Sequence, residues 1–408
     1  MSHFPFTITT HTIPSQHIRE YPRATRTQDQ NATLTLHVKK YTPVDNPTPQ
    51  PGDVTIRGAG DRELYEPLWT DLHAHSRSSS SADSGFRIRA IWIADAVNQG
   101  SSGVGNKRVL GDDPSWFDTS RDMLHMVNHF RDEMPRPIIS VGHSAGAVAQ
   151  IFLALIHPRL FTTQILIEPF VHNGRDPESS RSIFLRAKQD DMWASRGEAL
   201  TKSQKLVKGW DPRVRERYAQ FAFHEIPAVG WTSCSARKDA GAVRSTTPVS
   251  QEVMSYMHGD SGRGGDSSRS PPHDPLAVPD MIGGLSENQV FYRPEPMIVW
   301  RLLPHLLPTA LFVSGETSAL SQGGNQARAA GRTGTGVGGS GGVQYGRVKD
   351  EVVAEVGHLV PMEKVGEVTG VVGPWIAREV GRWREEERRV KEGWKKGNSE
   401  GEGLGFSD

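Results

Sequence analysis

Ser144 stands between Gly142 and Gly146 in PIISVGHSAGAVAQIFLALIHP (residues 137–158), after a short apolar run and before a helical one. A serine at such a strand-to-helix turn can act as a nucleophile. The glycines leave room for a strained bend, and the hydroxyl projects above the sheet edge. The start of the following helix offers unbonded N–H groups to a developing oxyanion. The rival reading of a glycine-serine-glycine stretch is a tight turn, and the five residues alone do not separate the two. An apolar strand before, a helix after and an alternating β/α pattern around them favour the nucleophile.

A serine hydroxyl is a weak nucleophile until a base takes its proton. The expected chain order is serine, acid, histidine. His358 in VVAEVGHLVPME fits the last role, in a loop just past the final strand where a base can reach back to the turn. His157 ends the helix that the serine starts and is too far away. His172, His224, His258, His273 and His305 read as exposed or capping residues in or around an insertion. The carboxylate that orients such a base commonly follows the seventh strand, three residues after a glycine. Here that residue is Ser318, three after Gly315, which cannot ionise. Glu168, in LIEP at the end of the sixth strand, is the favoured acid, and Glu316 is the alternative. The N–H of Ala145 is one expected oxyanion donor, with the second from the backbone near Ala59 or Gly60.

These residues need a sheet to hold them. Strand signals fall at 6–13, 33–41, 53–60, 86–95, 137–142, 162–170, 309–315 and 347–356, with helical patterns between several of them. Residues 115–130 form an amphipathic helix with Ser115 as its cap. Strands alternating with helices imply a mostly parallel sheet covered on both faces. The chain then divides into a core at 1–170, an insertion at 171–292, a second core part at 293–392 and a disordered tail at 393–408. The insertion after strand six should be a mainly helical cap over Ser144. Trp193 and Trp210 are its candidate pocket walls, and its low-complexity stretch 260–275 should be poorly ordered.

Taken together, HIREYPRAT (17–25), YEPLW (65–69), GFRIRAIWIADAVNQGSSG (85–103), DPSWFDTSRDMLHMVNHFRDEMPRPI (113–138), GHSAGA, HPRLF, FYRPEP (291–296), RTGTGVGGSGG (332–342) and GHLVPME span nearly the whole chain. This set resembles the α/β-hydrolase superfamily. Within it, the set is similar to the fungal group that includes a yeast peroxisomal lipase and the hydrolases of host-selective toxin biosynthesis. The resemblance implies an eight-stranded α/β-hydrolase fold and an acyl-ester hydrolase, with a peroxisomal setting. Three departures stand out. The group's third strand runs into a His-Ala-Asn-Gly-Phe loop that supplies an oxyanion donor, whereas IRGAGDRELYEPLW is shorter and lacks that histidine and asparagine. The second glycine after the nucleophile is replaced by Ala147. The ending Phe406-Ser407-Asp408 is not a peroxisomal address of the Ser-Lys-Leu type.

Bulk properties narrow the remaining classes. The chain has 408 residues, and its 47 Lys+Arg balance 47 Asp+Glu, so nothing draws it to nucleic acid or an anionic membrane. A single cysteine, Cys234, excludes an internal disulfide and favours an intracellular home, cytoplasmic or peroxisomal. The N-terminus is a poor signal peptide. No apolar run approaches the roughly 18 residues of a membrane span.

Other motifs fail their context tests. Asp71, His73 and His75 share the D-x-H-x-H spacing of metal phosphoesterases, yet the segment reads as a helix rather than a strand end. GTGVGG (334–339) follows no strand and opens no helix, so it reads as a flexible loop rather than a dinucleotide site. His125 and His129 lie at i, i+4 without the glutamate of a zinc protease.

The reading is a serine hydrolase of carboxylic esters or thioesters with a small-molecule acyl substrate and no metal or organic cofactor. Ser144 attacks, His358 shuttles the proton and Glu168 orients it. The rival is a non-catalytic or weakened relative with an eroded oxyanion loop, and a metal-dependent phosphoesterase is a remote third.

Overall fold

The computed structural model describes residues 4–26, 29–59, 62–78, 85–174, 183, 185–226, 241–256 and 293–401. Eight strands form one sheet: β1 (Phe6–Pro14), β2 (Thr35–Pro43), β3 (Val54–Ala59), β4 (Ile88–Ala94), β5 (Ile138–His143), β6 (Thr163–Ile167), β10 (Thr309–Gly315) and β11 (Val348–Val353). Their spatial order is β1-β2-β4-β3-β5-β6-β10-β11. The pairs β1–β2 and β2–β4 are antiparallel and all the others are parallel. All eight strand signals in the sequence correspond to these strands.

Strand periodicity explains why the central runs are apolar throughout. Successive side chains point to opposite faces, and both faces are covered. On β5, Ile138 joins one core while Ile139 and Val141 join the other; on β10, Ala310 and Phe312 part in the same way from Leu311 and Val313. The first core is closed by α3 (Trp116–His129) and α4 (Ala145–Ile156). It also holds α8 (Glu295–Leu302) and α9 (Asn325–Arg332). The second is closed by α1 (Glu66–Ser78), α10 (Val360–Glu363) and the long α11 (Val365–Gly401). The short α2 (Gly100–Asn106) follows β4. Ser115 caps α3 as its sequence suggests, accepting from Phe117 N at 3.1 Å.

Arg57 breaks the pattern. It lies on β3 between Trp92 and Ser140 in register, and no part of it is exposed. Among the described residues, none of its three guanidinium nitrogens has a hydrogen-bond partner. Burial alone pushes its pKa down to about 9.

After β6 the described part of the insertion carries helices α5 (Arg196–Val207), α6 (Pro212–Phe221) and α7 (Val249–Met254). It also carries a small antiparallel sheet, β7 (Met192–Trp193), β9 (Val243–Ser245) and β8 (Phe223–Glu225), which helical spacing does not anticipate. Residues 260–275 lie outside the described residues. The glycine-rich stretch is not a flexible loop. Gly334 N, Gly336 N and Ser340 N donate to the carbonyls of Leu303, Pro304 and Leu306 at 2.8–2.9 Å, binding it to the segment before β10. Its glycines permit that approach: a Cβ on Gly339 would lie 2.4 Å from Pro304 O.

Candidate active site

β5 ends at His143 and α4 begins at Ala145, so Ser144 alone makes the turn. Its φ of 54° and ψ of −124° are a conformation that side chains other than glycine rarely adopt. The bend is held by Ser144 N donating to Ile167 O at 3.0 Å. It also requires Gly142, where a Cβ would sit 2.6 Å from Ala147 Cα.

Chain topology brings His358 to this turn from the loop between β11 and α10. Its Nε2 is 2.9 Å from Ser144 Oγ, and its Nδ1 is 3.0 Å from Glu168 Oε2. Glu168 directly follows β6, is fully buried and has a φ of 46°. A buried carboxylate needs donors, and this one has several. Gly315 N donates to Oε1 at 2.7 Å, Ser321 Oγ to the same atom at 3.3 Å, and Ser318 Oγ to Oε2. Ser318, at the customary place of the acid, thus serves a carboxylate that has moved one strand over. Glu316 takes no part in this contact. Its Oε2 accepts from Glu355 N at 2.9 Å instead.

Hydroxyl, imidazole and carboxylate in line are arranged to move a proton from Ser144 to His358 while the carboxylate steadies the imidazolium. Ala145 opens α4, where a first-turn N–H has no acceptor within its own helix. Ala59 ends β3 beside Gly142 in register, and Gly60 lies outside the described residues.

Ser144 and His358 open onto a cavity of about 260 Å³, walled largely by Phe170, Ile183, Val253, Tyr256 and Leu320. At its edge Arg186 Nε donates to Glu252 Oε2 at 2.7 Å. Trp193 and Trp210 are not among its lining residues. Trp193 packs edge-on to Phe223 in the small core of the insertion, and Trp210 packs on Tyr218 in the core under α1 and α11. Each indole covers the nearest apolar surface, and helical spacing does not say which surface that is.

Sequence reasoning passed over His143, the residue before the nucleophile. Its Nδ1 is 2.9 Å from Tyr65 Oη and its Nε2 is 2.9 Å from the backbone carbonyl of His358. Burial first, and then the neighbouring His358, push its pKa down to about 3. Asp71, His73 and His75 diverge around α1. Asp71 accepts from Arg213 at 2.6 Å, His73 Nε2 is 2.9 Å from Asp45 Oδ1, and His75 lies against Gly373.

No family model matches the chain. It is 37% identical over 408 residues to the type I acyl-CoA thioesterase mpaH of Penicillium roqueforti, an alignment covering 95% of this chain and 91% of that one. The chain is an α/β-hydrolase. The type I acyl-CoA thioesterase mpaH of Penicillium brevicompactum is likewise 37% identical, with 96% and 92% covered. The crystal structure of the peroxisomal α/β-hydrolase Lpx1 from Saccharomyces cerevisiae superposes with a TM-score of 0.69 at 16% identity, covering 98% of this chain and 99% of that one. Among the described residues of this α/β-hydrolase, no helix is long and apolar enough to cross a membrane.

Proposed function

We propose that this α/β-hydrolase cleaves an acyl thioester, or an activated ester, through a covalent acyl-enzyme on Ser144. The observation that carries the reading is the hydrogen-bonded line from Ser144 through His358 to Glu168 at the mouth of an apolar cavity. Ser144 Oγ attacks the acyl carbon as His358 Nε2 takes its proton. A C–O bond forms and the carbonyl π pair moves onto oxygen. Collapse breaks the C–S bond, and the imidazolium returns the proton to the leaving sulfur. Water, deprotonated by the same imidazole, then attacks the acyl-enzyme and releases the acid. The oxyanion accepts from Ala145 N–H and from a second backbone N–H at Ala59 or Gly60.

A thiol of pKa about 8.5 is a far better leaving group than an alcohol, which favours thioesters over alkyl esters in the acylation step. The apolar walls suit an acyl chain, and the thioesterase relatives support a small-molecule acyl substrate. A yeast relative named a peroxisomal membrane protein, 32% identical over half of this chain, supports work inside the cell.

A fluorophosphonate probe and a panel of acyl-CoA thioesters test the reading. Expected are labelling at Ser144, thiol release faster than the hydrolysis of matching alkyl esters, and losses of about 10³-fold or more for Ser144→Ala and His358→Ala. Full turnover in either variant refutes it, as does chelator-sensitive phosphatase activity without labelling.

A further inference from the structure

We propose that His143 and Tyr65 are positioning residues: they form a fixed relay that holds the backbone of His358 so that its ring meets Ser144. The inference rests on the reading of Ser144 as nucleophile and His358 as base. A backbone carbonyl only accepts, so the His143 Nε2 that lies 2.9 Å from His358 O must carry the hydrogen. The imidazole is neutral in its surroundings, so Nδ1 then has a lone pair to offer, and Tyr65 O–H donates to it across 2.9 Å. One direction of donation satisfies the line: Tyr65 O–H to His143 Nδ1, and His143 Nε2–H to the carbonyl of His358.

Three separate segments meet there. Tyr65 ends the short 3-10 helix Arg62–Tyr65 just after β3, His143 ends β5, and His358 sits in the loop after β11. Tyr65 is itself buried and stacks on Trp69 with ring centroids 5.9 Å apart, which anchors the donor end. The two histidine rings lie 5.0 Å apart at 33°, so the relay also supports one flank of the base. Glu168 holds the ring of His358 through Nδ1, whereas His143 holds its main chain. A loop is fixed in position only when both are tied. Misplacing a catalytic group by about 1 Å costs on the order of 100-fold in rate.

The test uses the full chain with a chromogenic thioester and fluorophosphonate labelling of Ser144. His143→Leu removes both hydrogen bonds at similar volume, His143→Gln keeps a donor for the carbonyl, and Tyr65→Phe deletes one oxygen. His143→Leu should lower kcat by about 10- to 100-fold with KM nearly unchanged, and slow labelling in parallel. His143→Gln should recover most of that loss. Tyr65→Phe should cost about 3- to 10-fold alone and nothing further in the His143→Leu background.

Wild-type kcat in folded His143→Leu overturns the relay, as does a glutamine variant no better than leucine or a Tyr65→Phe effect that adds in full. If His143→Leu does not fold, Tyr65→Phe decides alone, and an unchanged kcat there is the refutation. Ser144→Ala separates the two levels. Turnover retained in Ser144→Ala sinks the nucleophile and the relay with it, whereas an inactive Ser144→Ala beside a fast His143→Leu sinks only the relay.

Discussion

Arg57→Met should make the protein more stable. The guanidinium lies inside the sheet with no exposed surface and, among the described residues, no hydrogen-bond partner, and burial is the cause of its lowered pKa. A guanidinium that burial holds well below its ordinary pKa, at about 9, is destabilising by several kcal/mol at neutral pH. Methionine keeps much of the stem and none of the charge, and imperfect filling of the vacated space returns up to about 1.5 kcal/mol. The net gain should be about 1–4 kcal/mol, the range for replacing a buried charge by an apolar side chain of similar volume. The sign with pH is fixed by linkage. The folded pKa lies below the unfolded one, so the cost is fully present below about pH 9. It is relieved as pH rises from about 9 towards the unfolded value, because the native state loses its proton first. Urea titrations of both proteins from pH 6 to 10 should show a constant offset in midpoint up to about pH 8.5 that narrows above it. A variant equal to or less stable than the wild type between pH 6 and 8 would refute the claim that the charge is uncompensated.

Two further outcomes concern the acid. Glu168→Gln should cost about 10³-fold or more in kcat for p-nitrophenyl ester hydrolysis, while Glu316→Gln, whose carboxylate binds Glu355 N, should stay within about twofold. The reverse ranking would return the acid to the loop after β10. Ser318→Ala removes one donor from a buried carboxylate, so thermal or urea unfolding should register a loss of about 1.5–3 kcal/mol. An unchanged unfolding midpoint would mean that Ser318 contributes nothing to holding Glu168.

The sheet was legible because each strand is a short apolar or alternating run, most of them with proline or glycine nearby, a signal carried within ten residues. Ser144 and His358 were legible for the same reason, since each announces itself by its immediate neighbours. Glu168 emerged indirectly, through the inability of Ser318 to ionise. What stayed hidden depends on distant partners. The carbonyl that His143 binds is 215 positions away, and its tyrosine is 78 positions away. Nothing in TIRG reveals that Arg57 meets no counter-charge among the described residues. Trp193 and Trp210 mislead because tryptophan marks a buried surface without saying which one. The glycine-rich stretch misleads because the same freedom that loosens a loop also lets two backbones approach closely.

The positive φ at Ser144 sets heat tolerance against the proposed turnover at a single residue. Such a conformation costs about 1–3 kcal/mol with a side chain present and much less with glycine. Glycine at Ser144 is therefore an inexpensive route to a higher melting temperature, and it deletes the hydroxyl; at Glu168 the same change would strand Gly315 N, Ser318 and Ser321 without their buried acceptor. A lineage of this chain moved to hotter surroundings must find its stability elsewhere, in surface charge, loops or the removal of Arg57, or else settle into a robust fold that no longer turns over substrate.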